Sequence, residues 1–473
     1  MRNHHVCLST IDKPIPNKAT RMTGQKQVSR RVFMEKATAA GAVGAAAPYI
    51  LSANALRAAG KLGANDRIQI GLIGAGGMGR GNLNNCAKHD DVVVTGVCDV
   101  WKQRRDPVVA QFPGSAKPYH DYREMLQQPD IDAVIIATPP HWHCLQAIDA
   151  CEAGKDIYLQ KPMTLHLAES LALKQAVEKH QRISQVGTQI HAGENYRRVV
   201  EKVRSGMLGK VNVVRTFNVM NQGPEGIGKP ANSAPPAGLD WELWVGPAPM
   251  RPFNELIVRS AFENCSFMDY SGGWTPGMAP HIIDLPYWAL ELGHPTTTSC
   301  SGGRFAIRDA GDAPDTQEVL WEYPGMTMAW SMSAVSSFGF DFGRGSLSRR
   351  LGIYFHGIDG TLFTDYGKHE VVSEGDRMQD AAPPEKSIPA SPGHEREWLD
   401  CLRSREQPSC NVSYHYRMDV AIALANLSMK VGRTLHFDPR TEQIVGDNQA
   451  ARLAKPEYRD PWKFPMEYLN PVA

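Results

Sequence analysis

From residue 66 onward the chain alternates short, continuous apolar runs with longer segments whose apolar positions recur at helical spacing. Ile68 to Ile73, "DVVVTGVCD" ending at Asp99, "IDAVIIAT" (131–138), "KDIYLQKP" and "ISQVGTQ" read as strands, since unbroken apolar runs of this length suit strands covered on both faces. Between them lie helical patterns: Arg80 to Lys88, "DYREML" (121–126), "HCLQAIDACEAG" stopped by Gly154, and "HLAESLALKQAVEKH". Strict alternation of strand and helix predicts an α/β domain built on a doubly wound parallel sheet. Ligands of such sheets sit at the carboxyl ends of the strands, where Thr138, Pro139, His141, Trp142, His143, Gln160 and Lys161 fall.

The second half changes pattern. Strands are predicted at 211–219, 315–323 and 326–334, the last two joined by a Pro324-Gly325 turn, and "LGIYFHGIDGTLFTD" reads as a hairpin. Few helices separate them, so an α+β domain with a large, mostly antiparallel open sheet is expected. The Pro/Gly-rich segment 222–238 reads as a loop over the site, and the tail after Pro439 as irregular chain wrapping the fold. The resulting division is 1–65 leader and linker, 66–187 parallel-sheet domain, 188–440 second domain and 441–473 tail.

Composition narrows the function classes. The 473 residues are 42% hydrophobic and 21% charged with a formal net charge of +1, which leaves no basic excess for phosphate backbones and argues against a nucleic-acid partner. No run of 18 apolar residues exists, so no permanent membrane span is expected. The nine cysteines contain no C-x-x-C pair. Spacing permits a Cys401 to Cys410 disulfide without establishing it. Ser29-Arg30-Arg31-Val32-Phe33 with Lys36, followed by a weakly apolar run to Ala47 and by Ala53-Asn54-Ala55, resembles a twin-arginine export signal. Met22 is an alternative start. The expected location is therefore periplasmic or otherwise extracytoplasmic.

The first strand runs into Gly74-Ala75-Gly76-Gly77-Met78-Gly79, a complete G-x-G-x-x-G. Gly74 permits a tight turn, Gly76 a close approach to pyrophosphate and Gly79 close helix packing. Asp99, ending the next strand, is placed to accept bonds from ribose hydroxyls and to repel a 2′-phosphate, favouring NAD. Lys102, Arg104 and Arg105 nearby leave NADP open. His141-x-His143 lacks further ligands at metal spacing, and no metal is expected. Trp142 either stacks on a ligand or fills a gap; Trp241 and Trp244 suit core packing or a sugar platform. Tyr196 and Arg197 are placed either to touch substrate or to cover a helix surface.

The glycine fingerprint, "DYREML", "IDAVIIATPPHWH", "YLQKP" and "QVGTQ", together with "SGMLGKV", "LDWELWVGPAPMRPFN", "GGWTPGMAPHIIDLPYWAL" and the stretch from His394 to Pro439, resemble the Gfo/Idh/MocA oxidoreductases, particularly exported members. The resemblance implies an NAD(P) cofactor contacted by Gly74, Gly76, Gly77, Met78, Gly79, Asp99, Thr138, Pro139, His143 and Gln160. It implies catalysis by Lys161, of the family's E-K-P motif, and by His281, with Asp284 one turn on to orient the ring or bind substrate. Two departures stand out: Gln160 replaces the glutamate before the lysine, and Gly277 stands where relatives carry an aspartate four residues before the histidine. The implied activity is hydride transfer between NAD(P) and a secondary hydroxyl of a sugar, glycoside or polyol. Redox-neutral glycoside cleavage and non-catalytic sugar binding are the alternatives. The resemblance also implies a homo-oligomer, formed through the outer face of the second domain's open sheet.

Overall fold

A computed structural model describes residues 66–337 and 350–469. The export signal, its cleavage site and Met22 lie outside the described residues. Among these residues no helix is long and apolar enough to cross a membrane.

Six strands, β1 (Ile68–Ile73), β2 (Val92–Cys98), β3 (Lys117–Tyr119), β4 (Ala133–Ile136), β5 (Asp156–Gln160) and β6 (Ser184–Gly187), form one parallel sheet. Its order is β3-β2-β1-β4-β5-β6. The chain reverses its direction of winding between β1 and β4, and the crevice this opens at their carboxyl ends is where such sheets bind ligands. Both faces are covered, which explains the unbroken apolar runs: Ile70, Leu72, Val134 and Ile135 are fully buried. One face packs on helices His143–Glu152 and Leu167–Lys179, and the other includes Trp398 and Leu399 of helix His394–Ser404, contributed by the far end of the chain.

Nine strands make the second sheet: β7 (Val211–Val219), β8 (Thr297–Gly303), β9 (Thr316–Tyr323), β10 (Met326–Ser333), β11 (Leu351–Gly357), β12 (Gly360–Thr364), β13 (His369–Ser373), β14 (Leu435–Asp438) and β15 (Gln443–Val445). The order is β13-β12-β11-β7-β10-β9-β8-β14-β15, antiparallel throughout except for the β7–β10 pair. Period-two alternation sends Val319, Trp321 and Tyr323 inward and Glu318, Leu320 and Glu322 outward. Against the inner face lie helix Trp274–Leu290 and helix Val412–Val431, packed on Trp321, Trp330 and Phe355.

Three expectations are corrected. The first helix begins at Gly77, not Arg80, because the N–H of Arg80 already bonds the carbonyl of Gly76 and the glycine loop itself forms the first turn. The tail after Pro439 is not irregular: Gln443–Val445 extends the large sheet by pairing with β14, and helix Asn448–Leu453 follows. The stretch after the Pro/Gly-rich loop folds into four short helices between Trp241 and Ser271, three of them capped by the side chains of Asp240, Asn254 and Ser260. All eight described cysteines are free thiols, Cys401 and Cys410 included.

Candidate functional site

At the carboxyl ends of β1, β2 and β4 lies a cleft of about 580 Å³, open to solvent and lined by Gly74, Gly76, Asp99, Arg104, Thr138, Pro139, Trp142 and Trp244 among others. The glycines divide by role. Gly74 has φ +91° and a Cβ there would sit 2.7 Å from the Ala137 backbone; one at Gly79 would sit 2.0 Å from the Gly74 carbonyl oxygen. Those two allow the loop to exist. At Gly76 the nearest atom to a Cβ is the Arg104 guanidinium at 3.9 Å, and at Gly77 nothing lies within 4 Å. The loop thus leaves open space in front of backbone N–H groups at a helix N-terminus, the cradle a pyrophosphate requires. Met78, 43% exposed, is the second residue of that helix.

Asp99 closes the other end of the cleft. Its two carboxylate oxygens accept the N–H groups of Ala75 and Trp101, each at 2.8 Å, which ties the acid to the glycine loop. Burial pushes its pKa above the ordinary carboxylate value, while these N–H bonds and Arg104 pull it back. Arg104 lies 4.4 Å over the Trp101 ring and donates to the Val258 carbonyl. The residues present fit a dinucleotide with an unmodified ribose: spare acceptor capacity on Asp99, open glycines, and Thr138 and Pro139 at the β4 end.

Lys161 and His281 come together from β5's end and helix Trp274–Leu290. Lys161 Nζ donates to the carbonyl of Gly277 at 2.8 Å. Burial lowers its pKa from the ordinary lysine value. His281 is held by a bond from the Tyr196 hydroxyl to its backbone carbonyl, 2.8 Å, and its buried Nδ1 has no hydrogen-bond partner among the described residues. Burial, and then the charge of Lys161, push its pKa well below 6.5. The space beside Gly277 belongs to Cys265: a Cβ at 277 would sit 2.9 Å from its Sγ. Sequence reasoning missed Cys265, because its approach depends on a turn between two short helices that no motif marks.

Other predicted residues are placed differently. Asp284 does not orient His281; it is fully buried and pairs with His191 Nδ1 at 3.0 Å and with the Tyr414 hydroxyl at 2.7 Å. Although i and i+3 share a helix face, the carboxylate is taken by His191, from the turn after β6, and by Tyr414 of helix Val412–Val431. Gln160 points away from the cleft and donates to Asn82 Oδ1 at 2.7 Å, bonding β5 to the glycine-loop helix. Its strand position directs the side chain opposite to Lys161. His143 is fully buried, its ring nitrogens 2.7 Å from the Pro162 carbonyl and 2.9 Å from that of Thr138. It braces the ends of β4 and β5 and does not face the cofactor position.

His141 is likewise buried against the carbonyls of Trp244 and Tyr270. Trp142 donates to the Trp244 carbonyl at 2.9 Å and meets the Trp462 ring edge-on, filling the gap while its surface lines the cleft. Trp241 and Trp244 stack on each other at 4.8 Å, and Trp244 reaches the cleft. Tyr196 and Arg197 are buried rather than on a helix surface; Arg197 donates to the Pro389 carbonyl. Tyr122, His120 and Gln146, unremarked in the sequence, complete the lining. Tyr122, from "DYREML", is buried in the core and also reaches the cleft.

Comparison with known proteins agrees with this architecture. Residues 68–188 match the Gfo/Idh/MocA oxidoreductase family model with an NAD-binding Rossmann fold, and residues 193–299 and 349–464 match that family's C-terminal alpha/beta domain. A glycosyl hydrolase family 109 protein of Shewanella pealeana is 30% identical over 157 residues, 31% of this chain and 34% of that protein. An alpha-N-acetylgalactosaminidase of Shewanella oneidensis is 27% identical over 203 residues, 39% of this chain and 44% of that protein. The chain therefore spans well under two thirds of the curated relatives it matches. Among solved structures, the WlbA dehydrogenase of Bordetella pertussis in complex with NADH and UDP-GlcNAcA superposes with TM-score 0.58 at 18% identity, covering 79% of this chain and 99% of that one. A levoglucosan dehydrogenase in complex with NADH gives 0.56 at 16%, covering 78% and 99%. These likenesses concern the fold.

Proposed function

We propose that this chain, which belongs to the Gfo/Idh/MocA family of NAD-binding oxidoreductases, oxidises a secondary hydroxyl of a sugar, glycoside or polyol at Lys161 and His281. The observation that carries the reading is the pairing of a neutral, partly buried imidazole with a lysine that no carboxylate neutralises, beside a cleft shaped for a dinucleotide. Bound NAD supplies the hydride acceptor. His281, kept neutral by burial and by Lys161, takes the hydroxyl proton. Lys161, anchored through one N–H to Gly277, directs its remaining donors at the developing alkoxide oxygen. With glycine at 277, no acid competes for those donors.

The second reading is redox-neutral glycoside cleavage: oxidation acidifies the neighbouring C–H, elimination expels the aglycone, and the hydride returns. The names of the curated relatives favour it. Structural neighbours described as sugar dehydrogenases favour the first. Mixing the cofactor-loaded protein with panels of free sugars and of chromogenic glycosides separates the two. Accumulating NADH with unaltered glycosidic bonds is the result of the first reading; aglycone release without net NADH is the result of the second. Silence on both panels contradicts both.

Two further parts of the proposal rest on sequence. The S-R-R-x-F-x-x-K motif supports export through a route that accepts folded cargo, so the cofactor travels bound and is reoxidised in place, by a second substrate that takes the hydride or by its return in the redox-neutral cycle. The other, association with a second copy, is carried over from the family resemblance of the second-domain sequence.

A further inference from the structure

Immediately beyond Asp99, where the cleft holds the adenosine end, the chain is crossed by a segment from the other half of the molecule. Trp101 forms an antiparallel bridge with Leu239. The N–H of Asp240 bonds the Val100 carbonyl at 3.0 Å, and the N–H of Lys102 bonds the Gly238 carbonyl at 2.9 Å. Gln103 adds a side-chain bond to the Ala237 carbonyl, 2.6 Å, and His120 on β3's far side meets Asp240 at 3.1 Å. The segment continues into helix Trp241–Val245, capped by Asp240, and there Leu243 and Trp244 face the cleft. Its far end is fixed as well, because the Trp244 carbonyl accepts the Trp142 indole and Gly246 sits so close under Trp142 that a Cβ would overlap the ring.

We infer that residues 237–244 are a strap that retains the cofactor, locking the adenosine end into the cleft so that NAD exchanges only when the strap's bonds to Val100, Lys102 and Gln103 break together. The inference deepens the proposed function and rests on reading the cleft as the cofactor site. Its physical basis is cooperative. The strap is bonded to the turn that follows Asp99 and its Leu243 and Trp244 wall the cleft, so that turn moves away from a ribose held by Asp99 only by separating from Leu239 and Asp240. Gly238, at φ +82°, is what brings the strap this close; a Cβ there would sit 2.6 Å from Gln103 Oε1.

The test is an exchange measurement on the full-length protein as purified. Cofactor-loaded wild type, Gln103→Ala, Asp240→Ala and Gly238→Val are each mixed with an excess of isotopically heavy NAD, and the light-to-heavy ratio of the bound cofactor is followed by native mass spectrometry. Thermal melting of the cofactor-free proteins is recorded alongside. The inference predicts slow exchange in wild type and about three- to tenfold faster exchange in Gln103→Ala and Asp240→Ala, the loss expected for one bond's worth of restraint, with Gln103→Ala melting close to wild type. Gly238→Val, which forces the strap away, is expected to exchange fastest. Equal exchange in wild type and all three variants overturns the strap, as does wild-type exchange complete on mixing. A wild-type protein that takes up neither NAD nor NADP overturns the cofactor reading itself, a separate outcome visible as the absence of any cofactor-bound mass.

Discussion

Lys161 Nζ donates to the carbonyl oxygen of Gly277 across 2.8 Å, joining the end of β5 to the first turns of helix Trp274–Leu290. One bond thereby sets the lysine of one domain against the histidine of the other. A glycine at 277 also makes room for Cys265, since any side chain there would meet its Sγ. Replacing Lys161 by Met removes the alkoxide donor and keeps the stem. Turnover is expected to fall about 10²- to 10⁴-fold while NAD remains bound, as checked by steady-state kinetics beside cofactor content. A variant that loses the cofactor too would assign Lys161 to binding instead.

His281 carries a sharper consequence. Its imidazole is held neutral first by burial and next by Lys161, and a general base works in its neutral form, above its own pKa. The acid limb of kcat/KM is therefore expected well below the ordinary histidine value, with activity undiminished as pH falls through 6.5. Removing the Lys161 charge lifts the largest of the charge influences, leaving burial and the lesser ones of His415 and His394. In Lys161→Met the His281 ring, followed by NMR with labelled histidine, is expected to titrate at higher pH than in wild type; an unchanged titration would show that the two groups do not sense each other.

The two N–H bonds to Asp99 leave each of its oxygens with spare capacity for a ribose hydroxyl. Asp99→Ala is expected to weaken NAD binding at least about tenfold, as losing charge-assisted bonds predicts. Because Arg104 then faces the cleft without its counter-charge, the NADP-to-NAD affinity ratio should rise. Calorimetric titration with both dinucleotides reads both effects, and an unchanged ratio would mean that Asp99 does not face the ribose.

The glycines separate binding from folding. Gly76→Val meets no protein atom closer than 3.9 Å at its Cβ, so cofactor-free protein should melt as wild type does and fail to bind NAD. Gly79→Ala drives a Cβ into the Gly74 carbonyl at 2.0 Å and is expected to destabilise the fold by about 1–3 kcal/mol or more, measured by denaturant unfolding. The reverse pattern would place the pyrophosphate elsewhere.

Sequence pattern sufficed wherever a constraint is local. The strand running into Gly74, the spacing to Asp99 and the unbroken run 133–136 carry their own geometry, and the parallel sheet with its cleft followed from them. It did not reach constraints supplied by distant chain. Asp284 is one turn from His281 in sequence, yet its partner is His191, from 93 residues upstream. His143 and Gln160 stand beside the cleft in sequence but point into the scaffold, His143 because two strand-end carbonyls flank its ring and Gln160 because Asn82 waits on the neighbouring helix. The same holds for the tail, whose Gln443–Val445 strand is too short to show a period and exists because β14 offers an edge.

The central claim is that a sugar hydroxyl surrenders hydride to a cofactor this protein already holds. Single-turnover mixing of the purified protein loaded with NAD against candidate sugars tests it most directly, with reduced-nicotinamide absorbance followed over time. The account predicts a rise approaching one equivalent of NADH per chain with a cognate sugar, abolished in His281→Ala. Bound NAD that stays oxidised across sugars and glycosides alike, with no glycoside cleaved, would contradict it.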